Sequence, residues 1–208
     1  MSDTCTTVLI ADDHSVVRMG MSALLSAEGD LRVIAEAKNG GEAVAAALDK
    51  GPDVIIMDIE MPKMDGIEAT KSILAQQPDA KILILTSFAT SDRIAKAIKA
   101  GALGAIMKNA DDSEMVAAVR AVAQGKACIA KDVKRLFRED PPTPELSPRQ
   151  HEILDSITRG LTNADIAKQL GISVDMVKKH MNALMQKMNA ANRSEAVAIA
   201  LRKHLLKI

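Results

Sequence analysis

The stretch DVIIMDIEMPKMDGIEATKSIL, residues 53–74, joins two kinds of segment whose repetition along the chain decides the fold. Its first five residues, DVIIM (53–57), form a short apolar run rich in isoleucine, as buried strands are. Ile67, Thr70 and Leu74 follow at spacings of three and four, which is typical of the buried face of a helix. The stretch therefore predicts a strand followed by a helix.

The same alternation of apolar run and helical pattern occurs five times before residue 125. The other apolar runs are TTVLIA (6–11), LRVIAEA (31–37), KILIL (81–85) and LGAIM (103–107). The last helical pattern, from about 111 to 124, begins with acidic residues and ends before a glycine. Five successive βα units predict an α/β domain with a five-stranded parallel, flavodoxin-like (βα)5 sheet and helices on both faces.

The pattern changes at KDVKRLFREDPPTPE (131–145), where three prolines with charges on both sides predict a linker. Only helical patterns follow, at about 148–159, 163–169, 174–188 and 194–204. We therefore predict two domains joined by a linker. Their bounds are 1–130 for the first domain, 131–144 for the linker and 145–208 for a small all-α domain.

The net charge of the whole chain is zero, but it is unevenly distributed. Residues 1–144 carry 17 basic and 21 acidic side chains, a net charge of −4, whereas residues 145–208 carry 10 and 6, a net charge of +4. A basic tail attracts polyanions such as nucleic acid. The 208 residues are 48% apolar and 26% charged, so the chain can bury a core and is not typical of disordered proteins.

Features that direct a chain into or across a membrane are not evident in the sequence. The N-terminus has no basic region before its short apolar stretch, and no apolar run approaches the roughly 20 residues of a membrane span. Cys5 and Cys128 form no CxxC motif, and two such thiols suit a reducing compartment. We expect a cytoplasmic protein with no membrane partner.

Polar residues follow four of the predicted strands. Asp12 and Asp13 follow the first strand, Asp58 the third, Thr86 ends the fourth and Lys108 follows the fifth. Because the carboxyl ends of parallel strands share one edge of the sheet, we expect these side chains in one pocket. Crowded carboxylates raise one another's pKa unless a cation neutralises them, and Mg²⁺ prefers such oxygen ligands. The lysine and the hydroxyl suit the oxygens of a phosphoryl group.

The segments LIADDH, MDIEMPKMDGIEA, LT and GALGAIMK resemble, in order and spacing, the receiver domain of two-component response regulators over residues 6–125. The resemblance implies that Asp58 accepts a phosphoryl group from a sensor histidine kinase. It also implies that Thr86 hydrogen-bonds this group and that Lys108 pairs with it. The domain is then expected to catalyse only its own phosphorylation and slow dephosphorylation, and not to be an enzyme with a separate substrate.

The same resemblance implies a Mg²⁺ site. The carboxylates of Asp13 and Asp58 are expected to bind the ion directly together with the backbone carbonyl of Glu60, and Asp12 to act largely through a metal-bound water. These residue types agree with phosphoryl transfer, because Asp58 attacks as a nucleophile while the metal and the lysine neutralise charge on the transferring oxygens.

The segment GLTNADIAKQLGISVDMVKKHMNAL (160–184) predicts two helices joined by a turn, with Lys178, Lys179 and Asn182 on an exposed face near His180. Residues 146–200 resemble the LuxR-type helix-turn-helix domain of NarL/FixJ response regulators. The resemblance implies that these polar residues contact double-stranded DNA in the major groove, with the role of the histidine left open. It also implies that the helix beginning at residue 194 pairs two copies as a homodimer on DNA.

One residue of this tail departs from the family. Met176 stands where the family usually has a threonine near a phosphate, and a thioether has no donor and is only a weak acceptor. One contact to the DNA backbone is therefore expected to be lost or replaced.

A second departure lies in the receiver-like part and leaves an alternative open. Receivers usually carry Tyr or Phe three residues before the lysine, a side chain that moves on phosphorylation, but this chain has Ala105. The first domain could therefore serve as a docking or constitutive dimerisation module for a DNA-binding tail, without phosphorylation.

An aspartate-dependent phosphatase is a further alternative, because Asp58 and Glu60 superficially offer a nucleophile and a second acid. Such enzymes normally have an aspartate in the place of Glu60, and they need a cap that encloses the substrate. No segment of this chain is long enough to form one.

Overall fold

The structure is a computed structural model that describes residues 5–87, 90–143, 146–203 and 205. By its internal contacts the chain divides into two compact units, Met1–Pro141 and Pro142–Ile208. Some residues used in the sequence predictions lie outside the described ones, namely Pro144, Glu145 and His204. Among the described residues, no helix has both the length and the apolar character needed to cross a membrane.

The first unit is a parallel sheet with helices on both faces. Its strands are β1 (Thr6–Ala11), β2 (Leu31–Ala37), β3 (Val54–Asp58), β4 (Ile82–Thr86), β5 (Gly104–Met107) and β6 (Cys128–Ile129). Its helices are α1 (Ser15–Ser26), α2 (Gly40–Lys50), α3 (Gly66–Gln76), α4 (Ser91–Lys99), α5 (Asp112–Ala123) and α6 (Lys131–Glu139). The strand order β2-β1-β3-β4-β5-β6 confirms the predicted flavodoxin-like arrangement, with a short sixth strand added at one edge.

Burial and register explain why the polar strand ends meet. Every residue of β3 and of β4 is buried, as expected for central strands that are covered on both faces. Ala11 lies beside Met57, Asp58 beside Leu85, and Thr86 beside Met107. The strands therefore end at nearly the same level, and the residues that end or follow them lie next to one another.

The start of α3 is fixed tightly against the end of β3. The Asp65 carboxylate caps the helix by accepting hydrogen bonds of 2.9 Å from the backbone N–H groups of Ile67 and Glu68. A Cβ on Gly66 would lie 2.0 Å from the carbonyl oxygen of Asp58, so only glycine allows this approach. The backbone that carries Asp58 is therefore packed directly against a helix terminus.

The predicted linker over residues 131–144 is wrong for its first nine residues, which form helix α6. Val133 is fully buried, and Leu136 and Phe137 pack against the same hydrophobic core at spacings of three and four residues. The prolines begin only at Pro141, after the helix has ended. The prolines at the end of the segment favoured a linker, although the residues before them carry an apolar face long enough for two turns of helix.

Helix α6 packs against α4 and β5 and covers the face that contains Ala105. A Cβ on Gly104 would lie 3.3 Å from Val122 of α5, so the alternation of side chains along β5 places Ala105 on the opposite face of the sheet. Ala105 is fully buried there, and its carbonyl oxygen accepts a hydrogen bond of 3.0 Å from the N–H of Ala130. The small side chain lies in space that packed neighbours already fill.

A side-chain hydrogen bond also joins α4 to the end of α6. The hydroxyl group of Ser91, the buried first residue of α4, donates to a carboxylate oxygen of Asp140 at 3.0 Å. Asp140 is the residue at which α6 ends. The last turn of α6 is therefore tied to the beginning of α4.

Over its described residues, the second unit is a bundle of four helices with its own core, as predicted. The helices are α7 (Pro148–Thr158), α8 (Asn163–Leu170), α9 (Val174–Met188) and α10 (Arg193–Arg202). Its fully buried side chains are Ile153, Leu154, Ile166, Val177, Leu184, Ala196 and Ala200. Ser147 and Gln150 form a reciprocal capping box at the start of α7, and Thr162 and Asp165 form another at the start of α8.

Replacing Ala105 with tyrosine tests the packing beneath α6. A ring inserted into a filled core costs about 1–3 kcal/mol, so we expect Ala105→Tyr to lower the free energy of unfolding of the first unit by about 2 kcal/mol. Urea denaturation followed by far-ultraviolet circular dichroism measures this change. Ala45→Tyr, at an exposed position of α2, is the matched control and should change stability by less than about 0.5 kcal/mol. Equal stabilities of the two variants would contradict the close packing of Ala105 beneath α6.

Candidate functional site

The side chains of Asp12, Asp58 and Lys108 meet at the carboxyl edge of the sheet. The Lys108 ammonium nitrogen lies 2.6 Å from Oδ2 of Asp12 and 2.8 Å from Oδ2 of Asp58. The side chain of Asp12 is fully buried, and those of Asp58 and Lys108 are only 4% and 13% exposed. One lysine therefore holds together two carboxylates that have little access to solvent.

Burial and charge shift the pKa of two of these groups. Burial raises the pKa of the Asp58 carboxyl, an effect that the hydrogen bond from Lys108 opposes and the neighbouring charge of Asp12 adds to. Burial by itself lowers the pKa of Lys108, but hydrogen bonds to Asp12 and Asp58 outweigh it and raise that pKa. The lysine is therefore charged at neutral pH, and the ionised Asp58 is favoured further by any additional cation.

Asp13 and His14 extend the cluster toward solvent. The ring nitrogen Nδ1 of His14 lies 2.7 Å from Oδ1 of Asp13, whose side chain is 32% exposed. The backbone N–H of His14 donates to Oδ1 of Asp12 at 2.8 Å. Asp12, Asp13, His14 and Asp58 each offer one ligand atom, and these atoms lie within 4.8 Å of one another. Three carboxylate oxygens in this space form a donor set that fits Mg²⁺.

A small pocket of about 170 Å³ opens above these groups. It is lined by His14, Asp58, Glu60, Thr86, Ser87 and Lys108. The backbone N–H of Lys108 donates to the carbonyl oxygen of Thr86 at 2.7 Å, which aligns the ends of the last two long strands. The backbone N–H of Glu60 lies 3.4 Å from Oδ1 of Asp58, while the Glu60 side chain is exposed. The six residues predicted to form the acidic pocket are therefore close together.

Arg93, which no sequence pattern indicates, lies beside this pocket. Its guanidinium donates to the Asp65 carboxylate at 3.0 Å and to the backbone carbonyl of Ile59 at 3.5 Å. It also lies 3.9 Å from the Glu60 carboxylate. Arg93 thus connects α4 to the segment between β3 and α3. No local pattern marks it, because its partners lie about thirty residues away in the sequence.

The predicted DNA-contacting residues lie apart from the acidic pocket, on α9 of the second unit. Lys178, Lys179 and Asn182 are exposed on this helix, and His180 is half-buried. Lys178 makes an exposed ion pair of 3.2 Å with Asp175, one turn earlier. The polar side chains thus form a solvent-facing surface on the second helix of a helix-turn-helix.

The core side of α9 and the turn before it hold this helix in place. Val177 and Met181 are buried against the other helices of the unit. Gly171 ends α8 in a left-handed conformation with φ of 65°, which glycine adopts without a Cβ penalty. Met176 is 45% exposed, and its backbone N–H is already bonded to the Ser173 hydroxyl at 3.2 Å.

The fold and the two sites define a DNA-binding regulator with a receiver domain. Residues 8–120 match the family of the response regulator receiver domain, and residues 144–200 match the bacterial regulatory proteins of the luxR family. The chain therefore belongs to the two-component response regulators that carry a LuxR-type helix-turn-helix domain and regulate transcription.

Relatives that match nearly the whole chain agree with this assignment. The chain is 40% identical over 207 residues to the transcriptional regulatory protein LiaR of Bacillus subtilis (strain 168), covering 96% of this chain and 98% of that protein. It is 38% identical over 214 residues to the oxygen regulatory protein NreC of Staphylococcus epidermidis (strain ATCC 35984), with 96% and 98% covered. The crystal structure of the response regulator ChrA, from a heme-sensing two-component system, is 36% identical with a TM-score of 0.58, covering 98% of this chain and 100% of that chain.

Replacing Lys108 with methionine tests the balance of charge in the pocket. Removing one partner of a buried ion pair costs about 3–5 kcal/mol, so we expect Lys108→Met to lower the free energy of unfolding by about 3 kcal/mol at pH 8. The loss should be smaller at pH 5. Without the lysine the pKa of Asp58 rises further above its unfolded value, and the folded state gains stability as it takes up the proton.

Urea denaturation at the two pH values measures this difference. Lys126→Met, which removes an exposed lysine from the same unit, is the matched control and should show little change at either pH. Addition of Mg²⁺ should recover part of the stability lost in Lys108→Met at pH 8. A loss of the same size at both pH values would contradict the proposed role of the lysine charge.

Proposed function

We propose that this response regulator is phosphorylated on Asp58 by a sensor histidine kinase and that phosphorylation controls its binding to DNA. The observation that carries this proposal is the position of Lys108, whose ammonium group joins Asp12 and Asp58 beneath an open pocket. Such a group neutralises charge on a phosphoryl group that arrives at Asp58.

The contacts of Asp58 suggest which oxygen reacts. Lys108 holds Oδ2, whereas Oδ1 has only a long contact of 3.4 Å to the N–H of Glu60. In the proposed reaction Oδ1 attacks the phosphorus of a phosphohistidine, a P–O bond forms, and the P–N bond to the histidine breaks. Lys108 can then pair with a phosphoryl oxygen and the Thr86 hydroxyl can hydrogen-bond another.

Mg²⁺ is the proposed cofactor of this site. Asp13, Asp58 and the backbone carbonyl of Glu60 are the proposed direct ligands, and Asp12 is proposed to act through a metal-bound water. When bound, the ion supplies positive charge that offsets the crowded carboxylates and the incoming phosphoryl oxygens. The domain would transfer the phosphoryl group only to itself and later lose it by hydrolysis.

The second unit is proposed to bind double-stranded DNA with α9 in the major groove. Lys178 and Lys179 would contact phosphates or guanine, and Asn182 is suited to the N6 and N7 atoms of adenine. His180, next to the two lysines, lies at the edge of this surface. Two copies paired through α10 would bind two half-sites. Phosphorylation would act by shifting a pre-existing equilibrium toward the DNA-binding arrangement.

A second candidate function is favoured by the packing of Ala105. The aromatic side chain whose position changes in most receivers is absent, and Ala105 is fully buried on the face that α6 covers. In this alternative the receiver is a docking or dimerisation module, and DNA binding does not depend on phosphorylation. The two functions differ in one measurement, the affinity for DNA with and without phosphate on Asp58.

Replacing Asp58 with asparagine tests the phosphoacceptor assignment. We expect wild-type protein incubated with acetyl phosphate and Mg²⁺ to gain the mass of one phosphoryl group, and Asp58→Asn to gain none, because an amide oxygen is a poor nucleophile. Intact-protein mass spectrometry measures the gain. Asp79→Asn, at an exposed position between α3 and β4, is the matched control and should gain the group as the wild type does. Phosphate uptake by Asp58→Asn would refute the assignment.

Removing the lysines of α9 tests the DNA interface. Lys178→Ala and Lys179→Ala should each weaken binding to operator DNA and reduce the slope of log affinity against log salt by roughly one, because each lost phosphate contact releases one counterion fewer. Fluorescence anisotropy at several salt concentrations measures both quantities. Lys126→Ala, in the first unit, is the charge-matched control. Unchanged slopes for both α9 variants would contradict this interface.

A further inference from the structure

The oxygens of the acidic pocket divide into two sets with different partners. The Oδ2 atoms of Asp12 and Asp58 lie at 2.6 and 2.8 Å from the Lys108 ammonium nitrogen. The Oδ1 atoms of Asp12 and Asp13 lie at 3.3 and 2.7 Å from Nδ1 of His14. The lysine thus contacts one side of the carboxylates, and the imidazole contacts the oxygens that remain for a cation.

The backbone holds the His14 ring in this place. His14 is the N-cap residue immediately before α1, and its N–H donates to Oδ1 of Asp12 at 2.8 Å. Its ring is 67% exposed and lines the pocket together with Asp58. The side chain is therefore near the carboxylates and also free to rotate by the small amount that a bound ion requires.

The distances are close to those of a coordination shell. The donor atoms of Asp12, Asp13, His14 and Asp58 lie within 4.8 Å of one another. A divalent ion with bonds of about 2.1 Å spans donors that are up to roughly 4.2 Å apart. Side-chain rotations that move the donor atoms by a few tenths of an ångström are enough to close this difference.

We propose that His14 is a metal ligand through Nδ1 when the pocket holds a borderline divalent ion such as Co²⁺, Ni²⁺ or Zn²⁺. Imidazole nitrogen suits these ions, whereas Mg²⁺ prefers oxygen. Nδ1 then carries the lone pair and Nε2 the hydrogen, and the present close contact of 2.7 Å between Nδ1 and Oδ1 of Asp13 is replaced by bonds from both groups to the ion. The proposal rests on the cation site of the proposed function, and it adds a residue that distinguishes between metals.

His14 therefore makes the site selective in a way that carboxylates alone do not. Carboxylates and a carbonyl bind Mg²⁺ with or without the imidazole. A borderline ion gains one nitrogen bond in this chain, so its affinity depends on His14 and that of Mg²⁺ does not. If loss of the imidazole lowers the affinity for a borderline ion and leaves that for Mg²⁺ unchanged, the imidazole acts as a metal ligand.

Calorimetric titration of the full chain with Co²⁺ and, separately, with Mg²⁺ tests the proposal. We expect His14→Ala to weaken Co²⁺ binding by at least about tenfold and Mg²⁺ binding by less than about twofold. His151→Ala, which removes an exposed histidine of α7, is the matched control and should leave the affinity of the pocket for both metals unchanged.

The possible outcomes separate the proposal from the function on which it rests. Equal Co²⁺ affinity in wild type and His14→Ala would overturn the proposal, and so would equal losses for Co²⁺ and Mg²⁺, which would show that the ring only orients the carboxylates. A third outcome is that the wild-type chain binds Co²⁺ but not Mg²⁺, and that His14→Ala weakens the Co²⁺ binding. This outcome would support the proposal. The same result would contradict the Mg²⁺ site of the proposed function.

Discussion

The ammonium group of Lys108, between the carboxylates of Asp12 and Asp58, is the interaction on which the first unit depends. Two carboxylates with almost no solvent access need a compensating positive charge. Lys108, directly after β5, supplies it. The charges can meet only because β1, β3 and β5 end at the same edge of the sheet. The close approach of Gly66 to the Asp58 carbonyl then fixes the backbone behind the pocket.

The surroundings of α4 connect this pocket to the rest of the first unit. Arg93 joins α4 to the segment that carries Glu60, and Ser91 at the start of the helix is bonded to Asp140. Helix α6 occupies the face where Ala105 replaces the usual aromatic residue. Charged and hydrogen-bonded contacts therefore connect the segment that carries Glu60 to α4, and α4 to the end of α6.

The pattern of the sequence was sufficient to predict most of the fold. Apolar runs of five to seven residues alternate with helical spacings, and the five long strands and four tail helices lie where these patterns place them. The failure at α6 has a physical cause, since Val133, Leu136 and Phe137 form an apolar face only when a core is present to bury it. Propensity around Pro141 favoured a linker, and tertiary packing overrode it for Lys131–Glu139.

The sequence by itself determined which residue types end the strands. Because successive βα units make the strands parallel, it also placed Asp12, Asp58, Thr86 and Lys108 at one edge of the sheet. It also determined the polar surface of α9, since helical periodicity separates exposed from buried positions. Only the tertiary structure decided which carboxylate oxygens contact Lys108 and which contact His14, because these contacts depend on side-chain directions set by strand register and packing. For the same reason, His14, which follows the acidic pair in the sequence, became part of a pocket only when the chain was folded.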